Sequence, residues 1–227
     1  MTLYSDDVRI EHTRLLDRQR SIYSRFHEFM SQPGPLTKNP AFPSSAYLVA
    51  WYYDLSFQIK IKEILSQVQS CSPLMVYPYQ TLHTTISDFL LTNSVDKPAG
   101  DVYRRLSSVM LAISKSMKTP SIRFGKVLVN ANSVILPGEP DTAFTEAALV
   151  IKTLAARDGM TLRMPTMSHI TLARVKSDAS EEVAKQLTRL VRYIPALGEV
   201  KPAGITVGHF TLTDRDFRFN QKTDFPL

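Results

Sequence analysis

The sequence predicts an α+β fold in two pseudo-symmetric lobes, and three observations carry that prediction. The chain has 227 residues, 44% apolar and 21% charged, proportions that suit one large domain with a buried core. Beyond a proline-rich joint, β-type and helix-type patterns alternate along the chain. Finally, a His-x-Thr tripeptide stands in a strand-like stretch of each half, at His83–Thr85 and at His169–Thr171.

The elements follow in order. Residues 6–30 read as one amphipathic helix, with Asp6 or Asp7 as cap and Val8, Leu15, Ile22 and Phe29 recurring every seven residues. Four prolines between Pro33 and Pro43 then remove amide donors and block helix, so the chain divides into a helical extension (1–32), a joint (33–44) and a main domain (45–227). In that domain 46–53 is a β-rich run, 57–69 has helical character and 82–91 reads as a strand. Residues 101–117 have helix spacing, and 121–136 reads as two strands around Asn130–Asn132. A helix over 142–157 ends at Asp158-Gly159. A strand over 168–175, a helix over 180–193 and a strand or hairpin over 204–219 complete the chain. The two lobes would then be 45–137 and 138–219.

Composition excludes several classes. The single cysteine, Cys71, rules out an intrachain disulfide framework and a thiolate-rich metal site, and it suits a reducing, cytoplasmic location. The first twenty residues carry acids and arginines throughout, unlike a signal peptide, and no apolar run approaches a membrane span. No GxGxxG, GxxxxGK[ST], GxSxG or HExxH pattern occurs, and with only eight glycines a glycine-rich phosphate cradle is not expected. Net charge is +6, all of it beyond residue 32, which favours an anionic partner such as RNA or a nucleotide.

Alternation in a strand puts His83 with Thr85, and His169 with Thr171, on one face, while Thr84, Ile86, Ile170 and Leu172 turn to the other. Two such faces across a cleft offer two imidazoles and two hydroxyls to one small anion. A histidine titrating near 6.5 can be neutral and take a proton, or charged and give one, while threonine hydroxyls can donate to non-bridging phosphate oxygens. That is phosphodiester chemistry with no metal and no cofactor. Composition alone would give about 0.4 matches to His-x-[Ser/Thr]-apolar among five histidines; three occur, the third at His209–Leu212. His209 lies only 40 residues after His169, so it is expected on a neighbouring strand of the same lobe, in a structural role. A zinc site built from His83, His169 and His209 is the metal alternative, but no carboxylate stands at ligand spacing. Tyr77 and Tyr79 precede the first motif and are candidates for stacking on a base. Arg174 is a candidate for substrate contact, although strict alternation from His169 turns it away, towards a surface ion pair. Trp51 is expected in the core, and Cys71 is given no role.

The stretches LHTTI and SHITLAR resemble the paired HxTx motifs of the 2H phosphoesterase superfamily, the group of LigT-like RNA 2′,3′-cyclic phosphodiesterases and 2′-5′ RNA ligases. The resemblance covers residues 45–219 and implies a bilobal α+β fold, with two antiparallel sheets and flanking helices around a central groove. It implies His83 and His169 as the catalytic pair and Thr85 and Thr171 as the phosphate-binding hydroxyls. It also implies metal-independent action on a cyclic phosphate or on a 2′-5′ or 3′-5′ phosphodiester of a small nucleotide or RNA end. Ser168 stands where a proline is common, and Leu91-Thr92 where a glycine often closes the first motif strand. The alternative from another class is a nucleotide- or RNA-binding module that uses the same groove without turnover.

Overall fold

The computed structural model describes residues 5–90 and 100–227; Leu91-Thr92, and with them the end of the expected first-motif strand, lie outside that range. Strands β1 (Ser44–Tyr52), β2 (Leu74–Val76), β3 (His83–Leu90), β4 (Ile122–Phe124), β5 (Leu128–Val129), β6 (Ser133–Pro140), β7 (Ser168–Val175), β8 (Gly198–Val200), β9 (Gly204–Leu212) and β10 (Phe217–Pro226) alternate with five helices. These are α1 (Ser5–Ser31), α2 (Leu55–Val68), α3 (Gly100–Ile113), α4 (Thr142–Arg157) and α5 (Glu181–Arg192). Local chemistry fixes the helix ends. The Asp54 carboxylate accepts from Phe57 N at 2.9 Å to start α2, Asp141 accepts from Ala143 N at 3.0 Å to start α4, and Gly159 at φ +70° follows the end of α4.

All ladders are antiparallel, in the order β10-β9-β1-β3-β7-β6-β4-β8, with β2 added to β7 and β5 to β6. The two halves, β10-β9-β1-β3 and β7-β6-β4-β8, meet at one residue pair, Thr84 opposite Ile170. The seam therefore lies within one residue of both histidines, and the strands diverge on either side of it. The halves are not successive in sequence, as had been expected. Strand β6 pairs with β7 and carries β4 and β5 with it into the second half, and the C-terminal hairpin β9–β10 returns to β1 in the first half. The stretch 121–136 holds three strands rather than two. The Asn130 carboxamide accepts from Asn132 N and Ser133 N at 3.0 and 2.8 Å, which folds a tight turn between β5 and β6.

Helices α2–α5 pack on one face of the sheet around a core that includes Tyr47, Trp51, Phe57, Met110, Phe124 and Phe144, so Trp51 is a core residue as expected. Helix α1 joins that core through Leu15 and reaches a second, smaller cluster towards its C-terminal end. Its Phe26 is buried against Leu128 and Ile135, and Ile135 pairs with Thr171. Paired residues share a face, so the C-terminal part of α1 rests on the His169–Thr171 side of the second half. The proline-rich segment is tied down as well: Leu36 and Ala179 exchange backbone hydrogen bonds, and Asn39 N donates to Val175 O at 2.9 Å.

Candidate active site

The groove at the seam encloses about 450 Å³ and is lined by both His-x-Thr motifs together: His83 and Thr85 from β3, His169 and Thr171 from β7. Thr84 and Ile170, the alternate residues, are fully buried behind them. The register through Thr84 and Ile170 sets His83 beside Thr171 and Thr85 beside His169 across the seam, with the two histidines as diagonal neighbours, about 7–8 Å apart at such positions.

Both strands break their alternation at the same place. In β3 the pairing with β1 jumps from Thr85 to Ser87, leaving Ile86 as an extra residue. In β7 the pairing with β6 jumps from Thr171 to Ala173, leaving Leu172. Each bulge lies three residues after its histidine, and each returns the fifth residue to the groove: Asp88 in β3 and Arg174 in β7. The alternation that turned Arg174 outward thus fails for a definite reason. Its guanidinium is held in the groove by Nε donation to the Tyr77 hydroxyl at 2.9 Å and has no carboxylate partner among the described residues. Asp88, by contrast, is neutralised by a bidentate pair with Arg163 at 2.6 and 2.8 Å. Arg163 N also bonds Asp88 O, and Ser87 Oγ donates to Arg163 O, which fixes segment 163–167 as a groove wall. Two residues with equivalent positions thus do different work: one spans the halves, and the other leaves a cation facing the cavity.

The imidazoles are set by their surroundings. His83 Nδ1 lies 2.8 Å from Thr81 O; a carbonyl only accepts, so Nδ1 carries the proton and the Nε2 lone pair is free. The Met167 carbonyl near His169 pulls its pKa up but makes no well-formed hydrogen bond, which leaves the buried Nδ1 unpartnered, and the His169 Nε2 lies 3.3 Å from Thr171 Oγ1. The pKa of each ring is lowered to about 4, chiefly by burial, with Lys222 and Arg174 contributing at His83 and Arg174 and His83 contributing at His169. Both rings are therefore neutral near pH 7 while the groove holds no anion.

One side of the groove is aromatic. Phe217 stacks on Tyr77 (4.5 Å, 12°) and on His83 (5.6 Å, 27°), and Phe210 packs against Phe217 at 5.2 Å. Phe210 and Phe217 were not singled out from the sequence; their signal was the alternation of the C-terminal hairpin, legible only once β9 and β10 are placed beside β1. Tyr77 lines the groove, but Tyr79 does not: it lies in a 3₁₀ turn over Tyr79–Thr81 with the Lys62 ammonium 5.4 Å above its ring. His209 is buried on the opposite face, packed on Tyr47 at 4.9 Å and accepting at Nδ1 from Asn220 at 3.1 Å. It belongs to the half that carries His83, not the expected one, because β9 crosses back to β1. The three-histidine trio is therefore not assembled, and no group of three or more metal-ligating side chains comes together among the described residues. Cys71 is half-buried, with its pKa raised by burial.

No known family model matches the sequence, and no curated protein matches it significantly. Solved structures do match its fold. The crystal structure of E. coli LigT complexed with NADP+ aligns over 81% of this chain and 98% of its own, with a TM-score of 0.54 at 16% identity. The structure of the same protein complexed with 3′-AMP aligns over 82% and 99%, with a TM-score of 0.52 at 15% identity. The protein TT0787 of Thermus thermophilus aligns over 79% and 97%, with a TM-score of 0.51 at 14% identity. The chain has the LigT-like fold that its motifs led one to expect.

Proposed function

We propose that this chain is a 2H-type phosphodiesterase that cleaves a cyclic phosphate, or a 2′-5′ or 3′-5′ phosphodiester, of a small nucleotide or RNA end. The observation that carries the proposal is the convergence of both His-x-Thr faces and the Arg174 guanidinium on one groove. The LigT-like fold, and the NADP+ and 3′-AMP bound by LigT, support a nucleotide ligand here as well. In this reading 45–227 is the catalytic domain, 33–44 a joint and 1–32 an addition to it, working in the cytoplasm.

An entering phosphodiester sits between the halves. Arg174 and the hydroxyls of Thr85 and Thr171 donate to its non-bridging oxygens, and a base stacks on the Phe210–Phe217 wall. The anion offsets the burial and the cationic neighbours that hold both pKa values near 4, so one ring takes up a proton on binding. His83, whose Nδ1–H is already committed to Thr81 O, is assigned as base. Its Nε2 removes a proton from water as the oxygen bonds to phosphorus. The P–O bond to the ribose oxygen breaks, and that oxygen takes a proton from His169 Nε2. Each transfer contributes about 10²–10⁴ in rate, and no metal takes part.

A substrate panel tests the proposal: a 2′,3′-cyclic mononucleotide, a 2′-5′ dinucleotide, a cyclic dinucleotide and a short RNA, with EDTA present and the product phosphates resolved. Turnover of at least one class, unaffected by EDTA, is the expected result. Binding without turnover of any class would make the chain a nucleotide-binding module instead.

A further inference from the structure

The N-terminal helix reaches the second motif through two polar side chains. Ser168, next to His169, is fully buried, so its amide and carbonyl need partners. It lies opposite Gly138 at the end of the β6–β7 ladder, but both of its backbone groups are satisfied by α1. Ser168 N donates to Gln19 Oε1 at 2.9 Å, and Ser168 O accepts from the Tyr23 hydroxyl. That hydroxyl also accepts from Gly138 N at 3.3 Å, so the tyrosine is inserted between two strands and links them. Burial pushes the Tyr23 pKa up, which keeps the phenol proton in place for the donation. Gln19 is itself buried. A buried glutamine and the hydroxyl of a half-buried tyrosine, both aimed at the backbone of one residue, are costly unless the bonds form, and the apolar packing of α1 through Leu15, Phe26 and the Tyr23 ring needs neither polar group.

We propose that Gln19 and Tyr23 are positioning residues for His169: they fix the backbone of Met167–His169, and with it the imidazole that faces the groove. His169 has particular need of this. The His83 ring is anchored by its Nδ1 bond to Thr81 O, whereas His169 Nδ1 has no such bond and its ring has only the long Nε2 contact to Thr171 Oγ1 at 3.3 Å, so its placement leans on the chain that carries it. Helix α1 is then part of the active-site scaffold.

The inference rests on the phosphodiesterase reading for its kinetic consequence but not for its structural one, so the test has two arms. In the first, imidazole NMR follows the titration of His83 and His169 in the full-length protein. Tyr23→Phe and Gln19→Leu should shift the pKa and resonances of His169 and leave those of His83 in place. Gln19→Glu, which keeps an acceptor for Ser168 N, should stay closer to wild type than Gln19→Leu. In the second, with a substrate found by the panel, Tyr23→Phe should lower kcat by about 10–100-fold with KM within about two-fold. His12→Leu is the control: it removes a polar tie of α1 far from Ser168, His12 Nδ1 to Thr145 Oγ1 at 3.0 Å, and should lower Tm without moving His169. If Tyr23→Phe and Gln19→Leu lower Tm but leave the His169 titration unchanged, the positioning role is wrong, whether or not a substrate has been found. If the titration shifts and no substrate is turned over, the positioning role stands and the catalytic reading falls.

Discussion

Arg174 shows how much one residue's surroundings decide. Without a carboxylate partner among the described residues it serves the groove as a fixed positive charge, held by Tyr77. Arg174→Met should raise KM for an anionic nucleotide by about ten-fold or more, since a charge-assisted bond is lost. It should also raise the pKa of both histidines, because Arg174 lowers each; kinetics and imidazole titration check the two effects. His209→Ala should lower Tm yet leave turnover per folded molecule unchanged, as His209 lies behind the sheet. The sequence placed His83, Thr85, His169 and Thr171 correctly on one face because each pair spans a single alternation step. It misplaced Arg174 because a bulge intervenes at Leu172, and an apolar residue in a strand of apolar residues carries no local mark of being unpaired. Tyr79 was misread for a similar reason. The 3₁₀ turn before β3 rotates it out of the groove, and nothing in PYQT announces that turn.

Among the elements, β9 explains why the first half can present a continuous surface beside His83. Gly204 lies against Tyr52, which pairs with His83 across β1 and β3. A Cβ at Gly204 would sit 2.5 Å from Phe225 O and 2.6 Å from the Tyr52 ring, and the backbone oxygen cannot yield cheaply. Gly204→Ala should destabilise the fold by about 1–3 kcal/mol, as overpacking does. Gly34→Ala, with nothing within 4 Å, should be close to neutral; denaturant midpoints compare the two. Most helices were readable from caps and periodicity, α2 and α4 to within two residues. Helix α1 was readable as a helix, but its docking was not. Gln19 and Tyr23 look like surface polar residues until the strand end they satisfy is in place.

For the molecule as a whole, burying two neutral histidines at the seam ties stability to pH. In the unfolded chain each imidazole takes a proton near 6.5, and in the folded protein only near 4. Between those values the unfolded state holds more protons, so stability falls as pH drops from 6.5 to about 4 and levels off below. A His83→Gln/His169→Gln double variant should lose less stability between pH 7 and pH 4.5 than wild type, read as the shift in urea midpoint; equal losses would mean the rings are not held neutral by the fold. The bilobal architecture was legible from the repeated His-x-Thr, but the division of strands between lobes was not. Strands β4–β6 and the hairpin β9–β10 exchange places between halves through non-local pairing, which a local pattern does not encode.

The central claim is that His83 and His169 act as one acid–base pair on a phosphodiester held between them. Its most direct test is kcat on a substrate identified by the panel, measured for wild type, His83→Ala and His169→Ala alongside nucleotide affinity. Each single variant should lose about 10²–10⁴ in kcat with affinity changed only a few-fold, and the double variant should be little worse than either, because acid and base work as a unit. Wild-type turnover in both single variants, with affinity lost instead, would contradict the account.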